Sequence, residues 1–479
     1  MAVTLNQFSD DQIIERIQFE NPWWKNNNID SDYNELKRRL YFPLFYQLFN
    51  SDVRRAIVLM GPRRVGKTVM IFHAIQQLIN DGVSPNKICY LSVETPIYTN
   101  VGLEKLFQLC RQAQGLTDFN GYYIFYDEIQ YLKDWELHLK NLVDSYRQTK
   151  FIASGSAAAA LRLKSNESGA GRFSEFMLPP LTFCEYIYLL ELDHLMVPMN
   201  KKWGNTEFTF YNTNNISELN QHFIDYINYG GYPEVVFSSE IRKNPGRFIR
   251  SDIIDKVLLR DLPSLYGIKD VQELNRLFTT IAFNSGNEFS LQALSQSSHV
   301  PKDTVKTYIT YLESAFLIKI INRVDDSAKK FTRPTQFKVY LTNPSLRCAL
   351  FSPVTSEHEF IGNMVETAVY SQWFHRDDVL YYSRWKSGEV DIIRLDKTER
   401  PIFAIEIKWS NRCFENPLQL LKGLTIFLKK HRINHPMITT IDKEGVYEID
   451  GINYDFVPAS CYCYTVSQNA LDLKIKRGI

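Results

Sequence analysis

The sequence predicts an α/β protein with a parallel sheet in its N-terminal half, then a mostly helical region and a second α/β domain. Between residues 55 and 190, short apolar runs alternate with helical stretches. The runs are rich in β-branched and aromatic residues and no hairpin turns join them, which is typical of parallel strands. Strand-like runs return after residue 336. The clearest predicted strands are Ala56–Met60, Ile88–Val93, Tyr122–Tyr126, Phe151–Ala153, Phe337–Leu341, Val379–Trp385, Val390–Leu395 and Ile402–Lys408.

Composition excludes several classes of protein. Of the 479 residues, 44% are hydrophobic and 23% are charged, which excludes wholesale disorder. Lys and Arg total 55 against 54 Asp and Glu, so a uniformly basic nucleic-acid coat is excluded, whereas a local basic groove is not. Seven scattered cysteines indicate a reducing compartment. Cys461 and Cys463 are predicted to be strand residues and not metal ligands.

The sequence carries no signal of membrane attachment. The first 20 residues are charged and contain no apolar segment of the kind a secretory signal needs. No run of about 18 apolar residues occurs anywhere in the chain. We therefore expect a cytoplasmic protein without a membrane partner.

A phosphate-binding loop follows the first predicted strand. Residues 61–68 read GPRRVGKT, which fits the pattern G-x-x-x-x-G-K-T, and an apolar helix follows. The glycines let backbone N–H groups surround phosphates, Lys67 reaches the β- and γ-phosphates, and the Thr68 hydroxyl holds Mg²⁺. The helix N-terminus adds partial positive charge. The pattern predicts ATP and Mg²⁺ as cofactors.

Acidic residues at the end of a later strand predict the rest of this site. Asp127 follows the run Tyr122–Tyr126 and would hold Mg²⁺, and Glu128 would be the general base for the attacking water. The next strand ends in Ser154-Gly155-Ser156, where Ser154 or Ser156 either touches the γ-phosphate or the attacking water or simply makes the turn. The predicted nucleotide-binding residues are Gly61, Arg64, Gly66, Lys67, Thr68, Val69, Asp127 and Ser154.

An arginine often stabilises the charge of phosphoryl transfer, from the same chain or from a neighbour. Arg172 is the candidate, because it follows a Gly-rich stretch and precedes a strand-like run. A surface arginine without a catalytic role would occupy the same position in the sequence. Both interpretations stay open from the residues alone.

These motifs resemble a prokaryotic group of AAA-superfamily ATPases that carry a C-terminal restriction-endonuclease-like domain of unknown function. Beyond the loop and the acidic pair, the resemblance rests on short segments spread along most of the chain. These are NPWW at 21–24, SGSAAAA at 154–160, GAGR at 169–172, LPPLTFCEY at 178–186, GGYP at 230–233, LLRDLP at 258–263, DTVKTYITYLESAFLI at 303–318, KVYLTNPSL at 338–346, GNMVE at 362–366 and RWKSGEVDII with AIEIKWS at 384–410.

The resemblance implies a division of the chain into five segments. The helix-turn-helix pattern within the fourth could enter a DNA groove, but its modest basic excess favours a structural role. The segments are 1–50, helical; 51–192, the AAA-like P-loop ATPase core; 193–280, an insertion and helical lid; 281–335, a winged-helix-like element; and 336–479, the restriction-endonuclease-like domain.

A carboxylate cluster is predicted in the last segment. Asp391 lies on one strand, Glu406 and Lys408 lie two apart on the next, and the turn DKTER between them suits a hairpin. Acid, acid-x-Lys is the arrangement of metal-dependent nucleases, in which the carboxylates bind Mg²⁺ and the lysine orients the nucleophile or neutralises charge. Glu366, on a helix that begins near Gly362, is a further expected metal ligand. Alternatively the acids pair with Arg384 and Lys386 in an inactive domain.

Three functions are compatible with these features. The first is an ATPase that regulates metal-dependent cleavage of nucleic acid, of DNA in preference to RNA, in defence or a toxin-like role. The second is an ATPase switch that controls homo-oligomer assembly or binding of a protein partner, with the nuclease-like domain as an inactive interaction module. The third, a transcription-factor-like binder, fits the near-neutral charge least well.

Overall fold

The computed structural model describes residues 8–115, 120–156, 171–203, 206–331, 335–376, 378–386 and 388–477. The chain forms two compact units, one ending at Pro179 and one spanning Pro180–Arg477. Residues 157–170, which hold most of SGSAAAA and the start of GAGR, lie outside the described residues. No helix in the described ranges is both long and apolar enough to cross a membrane.

The first unit is built on a five-stranded parallel sheet. Its strands are consecutive in the chain but are arranged in the order β2-β3-β4-β1-β5, so that β1 lies between β4 and β5. Every residue of β1 is buried, as expected for a strand covered on both faces. The prediction of a parallel α/β domain is confirmed. The strands are β1 Ala56–Met60, β2 Ile88–Ser92, β3 Tyr123–Asp127, β4 Lys150–Gly155 and β5 Phe173–Met177.

Helices precede and alternate with these strands. The first begins with a capping box, in which the Ser9 hydroxyl accepts from the Gln12 N–H and the Gln12 side chain accepts from the Ser9 N–H. The helices of this unit are Asp10–Glu20, Trp23–Asn26, Ser31–Asn34, Phe42–Gln47, Lys67–Asn80, Leu103–Ala113 and Trp135–Ser145, with single 3₁₀ turns at Leu48–Asn50, Pro85–Lys87, Pro96–Tyr98 and Ile129–Tyr131.

The second unit contains a nine-stranded mixed sheet and a separate hairpin. The sheet order is β15-β16-β14-β13-β12-β11-β9-β10-β8. The hairpin β6–β7 lies in the segment 193–280, which was predicted as an insertion and helical lid. The strands are β6 Met196–Trp203, β7 Thr206–Thr213, β8 Glu288–Phe289, β9 Ile318–Val324, β10 Phe337–Leu341, β11 Leu380–Trp385, β12 Gly388–Leu395, β13 Pro401–Glu406, β14 Met437–Thr440, β15 Gly445–Ile449 and β16 Ile452–Pro458.

The helices of the second unit pack around this sheet. Their bounds are Phe183–Leu189, Ile216–Tyr229, Pro233–Phe237, Ser239–Lys243, Leu262–Tyr266, Val271–Phe283, Leu291–Ser298, Lys302–Ser314, Ser345–Leu350, Ile361–Trp373, Arg412–Glu415, Pro417–Leu420, Lys422–His431 and Ala459–Arg477. Two π-helical stretches, Gly246–Asp255 and Val257–Asp261, and a 3₁₀ turn at Asp193–Leu195 complete the unit.

Two interpretations of the sequence differ from this fold. Cys461 and Cys463 lie on the helix Ala459–Arg477 and not on a strand, because the burial of nearly every residue in its first half hides the helical period. The expected boundary at 335/336 falls inside the nine-stranded sheet. There β10 pairs antiparallel with β9 and β11 pairs parallel with β9, so strands from both sides of that boundary share one sheet.

Candidate functional site

The GPRRVGKT loop connects β1 to the helix Lys67–Asn80. Gly66 precedes that helix with φ 92°, a left-handed conformation that favours glycine. A Cβ on Gly61 would lie 2.1 Å from the carbonyl oxygen of Leu178, so only glycine fits there. Arg39 donates to the Val65 carbonyl at 2.7 Å and to the Pro179 carbonyl at 3.1 Å. The buried Arg39, which the sequence analysis did not identify, therefore holds the loop in place through two backbone carbonyl groups.

Lys67 lies inside the loop and is only 5% exposed. Its Nζ donates to the carbonyl oxygens of Gly61 at 3.2 Å and Pro62 at 2.9 Å. Of the other predicted contact residues, Val69 lies in the first turn of the following helix, and Arg64 is exposed with φ 63°. Lys67 is thus held at the loop in a position from which it can exchange carbonyl partners for phosphate oxygens.

Asp127 ends β3 at the same edge of the sheet as the loop. It is 2% exposed, and its Oδ2 accepts from the Thr68 hydroxyl at 2.8 Å and from the Tyr90 hydroxyl at 2.9 Å. The Ser154 hydroxyl donates to its Oδ1. Burial, with the neighbouring Glu128 carboxylate, raises the pKa of Asp127 despite these three donors. The adjacent oxygens of Thr68 and Asp127 are the donor set that fits Mg²⁺.

Glu128 follows in a left-handed conformation, with φ 56° and ψ 47°. For a residue other than glycine this conformation is strained, and such strain collects at functional sites. Its backbone N–H donates to the Ser154 hydroxyl at 3.1 Å, and its carboxylate accepts from the Gln130 amide. Ser154 therefore joins Asp127 to Glu128, and Gln130, which the sequence analysis missed, orients the proposed base.

Arg172 does not lie beside this loop in its own chain. Its carbonyl accepts from Ala56 N–H at 2.9 Å, at the start of β1, whereas the loop follows the other end of that strand. Five residues of strand span about 16 Å. Its guanidinium pairs with Asp144 at 2.7 Å, and both side chains are more than 40% exposed. The structure thus gives no support to Arg172 acting within its own site, and action on a neighbouring chain stays a prediction.

The second unit brings the predicted carboxylate cluster together. β12 pairs antiparallel with β13, Ile392 opposite Ile405, and the same register places Asp391 opposite Glu406. Asp391 Oδ2 accepts from the Ile407 N–H at 2.8 Å. Lys408 Nζ lies 2.7 Å from Glu406 Oε1 and 3.5 Å from Asp391 Oδ2. The hairpin inferred from the DKTER turn therefore assembles all three residues.

Lys338 joins this cluster from β10. Its Nζ lies 2.6 Å from Glu389, 2.8 Å from Glu366 and 3.5 Å from Asp391 Oδ1, and its side chain is 4% exposed. The sequence assigned Lys338 no role, although a lysine in a strand whose five residues are all buried was a usable signal. Glu366, predicted as a metal ligand, is instead engaged by Lys338 and by the Tyr340 hydroxyl.

The two central carboxyl groups of this cluster differ in their charge state. Burial and the adjacent Asp391 carboxylate raise the pKa of Glu406 to about 8. Burial would also raise the pKa of Asp391, but the ammonium groups of Lys408 and Lys338 outweigh it and lower that pKa. Glu406 Oε2 is buried and has no hydrogen-bond partner among the described residues. That oxygen, next to Asp391, is a ligand atom to which a cation could bind.

A three-carboxylate cage is not formed here. Within the described ranges, no three Asp, Glu, His or Cys side chains are grouped closely enough to enclose a metal ion. Mg²⁺ commonly binds to one or two carboxylates and keeps several waters, so Asp391 and Glu406 still fit it. Arg384 pairs with Glu389 at 3.6 Å, one of the two pairings expected for an inactive domain, and Lys338 lies 2.6 Å from the same carboxylate.

Comparison with known proteins gives two family matches and several uncharacterized relatives. Residues 53–187 match the family described as AAA domain, and residues 220–357 match a domain of unknown function, DUF8612. An uncharacterized protein of Haemophilus influenzae is 25% identical over 427 residues, which are 88% of this chain and 97% of that protein. An uncharacterized protein of Methanocaldococcus jannaschii is 23% identical over 406 residues, 82% of this chain and 86% of that protein.

Two solved structures are also similar over part of their length. The Aeropyrum pernix ORC1 protein in complex with DNA has a TM-score of 0.32 and 12% identity, covering 66% of this chain and 92% of that one. The S. cerevisiae Hsp104–ADP complex has a TM-score of 0.30 and 14% identity, covering 63% of this chain and 40% of that one.

The AAA domain match covers the parallel sheet, the GPRRVGKT loop and the acidic pair that ends β3. The N-terminal part of this chain is therefore similar to P-loop ATPase domains of the AAA type, and this similarity supports nucleotide binding and hydrolysis.

Proposed function

We propose that the chain hydrolyses ATP with Mg²⁺, and that this ATPase regulates a metal-dependent nuclease site in the second unit, in defence or a toxin-like role. The observation that carries the nuclease proposal is the convergence of Asp391, Glu406 and Lys408 across the β12–β13 hairpin. Cleavage of a phosphodiester needs carboxylates for a metal ion and a cation near the attacked phosphorus, and these residues supply both.

In the ATPase, Lys67 neutralises charge on the β- and γ-phosphates, and Thr68 with Asp127 would hold Mg²⁺, which would supply further positive charge to the nucleotide. Glu128 accepts the proton of the attacking water, and Gln130 and the strained backbone at Glu128 fix the direction of its carboxylate. Ser154 couples the position of this base to Asp127. Each step needs only residues that lie at one edge of the parallel sheet.

In the nuclease site, Asp391 and Glu406 would hold the Mg²⁺, which supplies an activated water and stabilises charge on the phosphate. Lys408 is 39% exposed, and its ammonium group, 2.7 Å from Glu406 Oε1, would exchange this contact for one to a bound phosphate. DNA is the proposed substrate in preference to RNA, and a homo-oligomer or a protein partner is a further expectation.

A cleavage assay tests the proposal. Single- and double-stranded DNA and RNA are incubated with the full chain and Mg²⁺ or Mn²⁺, with and without ATP. Cleavage that is lost in Asp391→Asn, is kept in the matched control Asp396→Asn, and responds to ATP only when Lys67 is intact supports the proposal. Asp396 is a suitable control because it lies in the turn beyond β12, where its side chain accepts hydrogen bonds from the neighbouring Thr398 and Arg400. Equal cleavage by Asp391→Asn would assign it to another site or to a contaminant.

A second candidate function is an ATPase switch whose nuclease-like domain is an inactive interaction module. Lys338 favours it, because this buried ammonium group engages three carboxylates that a metal would otherwise use. This candidate predicts no cleavage of any nucleic acid under any nucleotide condition. It also predicts a change of oligomeric state on ATP binding, measured by light scattering with the Glu128→Gln chain to hold ATP in place.

A further inference from the structure

The carboxylate cluster in the second unit contains two lysines with opposite accessibility. Lys338 is 4% exposed and contacts Glu366, Glu389 and Asp391, and its Nζ also lies 5.3 Å from the ring centre of Tyr382. Lys408 is 39% exposed and contacts Glu406 and Asp391. Lys408 can therefore move aside for a ligand, whereas Lys338 is enclosed by its partners.

Asp391 is the residue that both lysines share. Its Oδ1 faces Lys338, and its Oδ2 faces Lys408 and the Ile407 N–H. The cluster thus has two sides. On the Lys338 side every carboxylate has a cationic partner, while on the Lys408 side the buried Oε2 of Glu406 has no hydrogen-bond partner in the described part of the chain.

The charges of the cluster leave little room for added cations. The carboxyl groups in contact with either lysine are Glu366, Glu389, Asp391 and Glu406, and Arg384 also pairs with Glu389, so two lysines and one arginine face four carboxyl groups. The oxygen left without a hydrogen-bond partner among the described residues is Glu406 Oε2, on the Lys408 side. A second ion would have to displace Lys338, and removing one partner from a buried, paired set of charges is costly.

We propose that Lys338 is a built-in cation that takes the place of a second metal ion, so that the cluster binds a single divalent ion between Asp391 and Glu406. This inference rests on the proposed nuclease function for its purpose, but metal stoichiometry can be measured without cleavage. Glu366 is then a positioning residue that holds Lys338, and not a metal ligand. Through Lys338, the strand β10 contributes a cation to the site.

The test measures Mn²⁺ binding to the full chain in the absence of nucleotide. Calorimetry gives the stoichiometry and affinity, and electron paramagnetic resonance shows whether bound ions are isolated or coupled. Binding that remains in the double variant Asp391→Asn/Glu406→Gln is subtracted as belonging elsewhere. We expect one Mn²⁺ per wild-type cluster, with the spectrum of an isolated ion. Lys338→Met should take up a second Mn²⁺ or bind the first at least tenfold more tightly, while Lys338→Arg keeps a single ion.

Several outcomes would overturn the inference. These are an exchange-coupled Mn²⁺ pair in the wild-type chain, no Mn²⁺ at the wild-type cluster, or unchanged stoichiometry and affinity in a folded Lys338→Met chain. If Lys338→Met does not fold, the wild-type spectrum still decides between one ion and a coupled pair. A single bound ion with no nuclease activity would leave this inference standing and refute the proposed function, so the two failures are distinguishable.

Discussion

The two units each bury a lysine beside acidic residues, but they surround it differently. Lys67, 5% exposed, donates to the neutral carbonyls of Gly61 and Pro62, and the nearby Asp127 is held by the hydroxyl groups of Thr68, Tyr90 and Ser154. Lys338, 4% exposed, lies among three carboxylates.

In the first unit the ions that balance the buried site would come from bound ligands, whereas in the second unit the balancing charges are lysine side chains of the chain itself. Burial and Glu128 raise the pKa of Asp127, whereas Lys408 and Lys338 overcome burial and lower the pKa of Asp391. Bound Mg²⁺ and phosphate would compensate the buried charges of Asp127 and Lys67, and the neutral hydroxyl and carbonyl groups that now contact these residues can be displaced at little cost. In the second site the counter-ions are the side chains of Lys338 and Lys408, so a cationic ligand must compete with them for the carboxylates.

The largest effect is expected from Lys67→Ala. Loss of the ammonium group removes the cation for the transferred phosphate, so ATP turnover should fall by about a thousandfold. The variant should keep a cooperative melting transition, so that the lost turnover reports on the site and not on unfolding. Steady-state ATPase assays and thermal melts measure both, with exposed Lys105→Ala as the control. Wild-type turnover in Lys67→Ala would refute the assignment of the loop.

Glu128→Gln should bind ATP and hydrolyse it about a hundredfold more slowly, since general-base catalysis contributes that much or more. The amide keeps the size of the side chain and an oxygen for Gln130 to donate to. Nucleotide affinity by fluorescence and turnover by phosphate release separate binding from chemistry. A turnover near wild type would mean that another residue accepts the proton.

A smaller, pH-dependent effect is expected from Glu406→Gln. Because the folded chain keeps a proton on Glu406 up to about pH 8 while the unfolded chain releases it near 4.5, wild-type stability should fall as pH rises between these values. Glutamine removes this pH dependence, so the variant should gain about 3 kcal/mol relative to wild type between pH 5 and pH 8. Urea unfolding in EDTA measures the difference. Parallel pH profiles would contradict a protonated Glu406.

Arg172→Ala should have the smallest effect. Its exposed pair with Asp144 is worth less than about 1 kcal/mol, and its place at the far end of β1 keeps it from its own nucleotide. We expect ATP turnover within threefold of wild type. A larger loss that is restored by mixing Arg172→Ala with Lys67→Ala chains would instead show that the arginine serves a neighbouring chain.

The nucleotide site was predictable because its parts are local. A strand, a glycine-containing turn and a helix are contiguous between residues 56 and 80, and parallel strands bring Asp127 to the same edge. The burial of Lys338 could have been noticed in the sequence, but its partners could not, because they come from β12 and from the helix Ile361–Trp373 and only the folded sheet brings them together. For Arg172, sequence order does not say at which end of a strand a flanking residue lies, and its action on a neighbouring chain stays a prediction.

Because β11 pairs with β9, the nine-stranded sheet is continuous across residues 335/336 and has no domain boundary there. A chain cut there would leave β11 with a bare hydrogen-bonding edge, which invites aggregation, and β10 without its antiparallel neighbour. It would thus remove both strand neighbours, β8 and β9, of the strand that carries Lys338. Recombination between relatives could therefore exchange this region only as one block from β8 to β16, so we expect the lysine and its carboxylates to be inherited together.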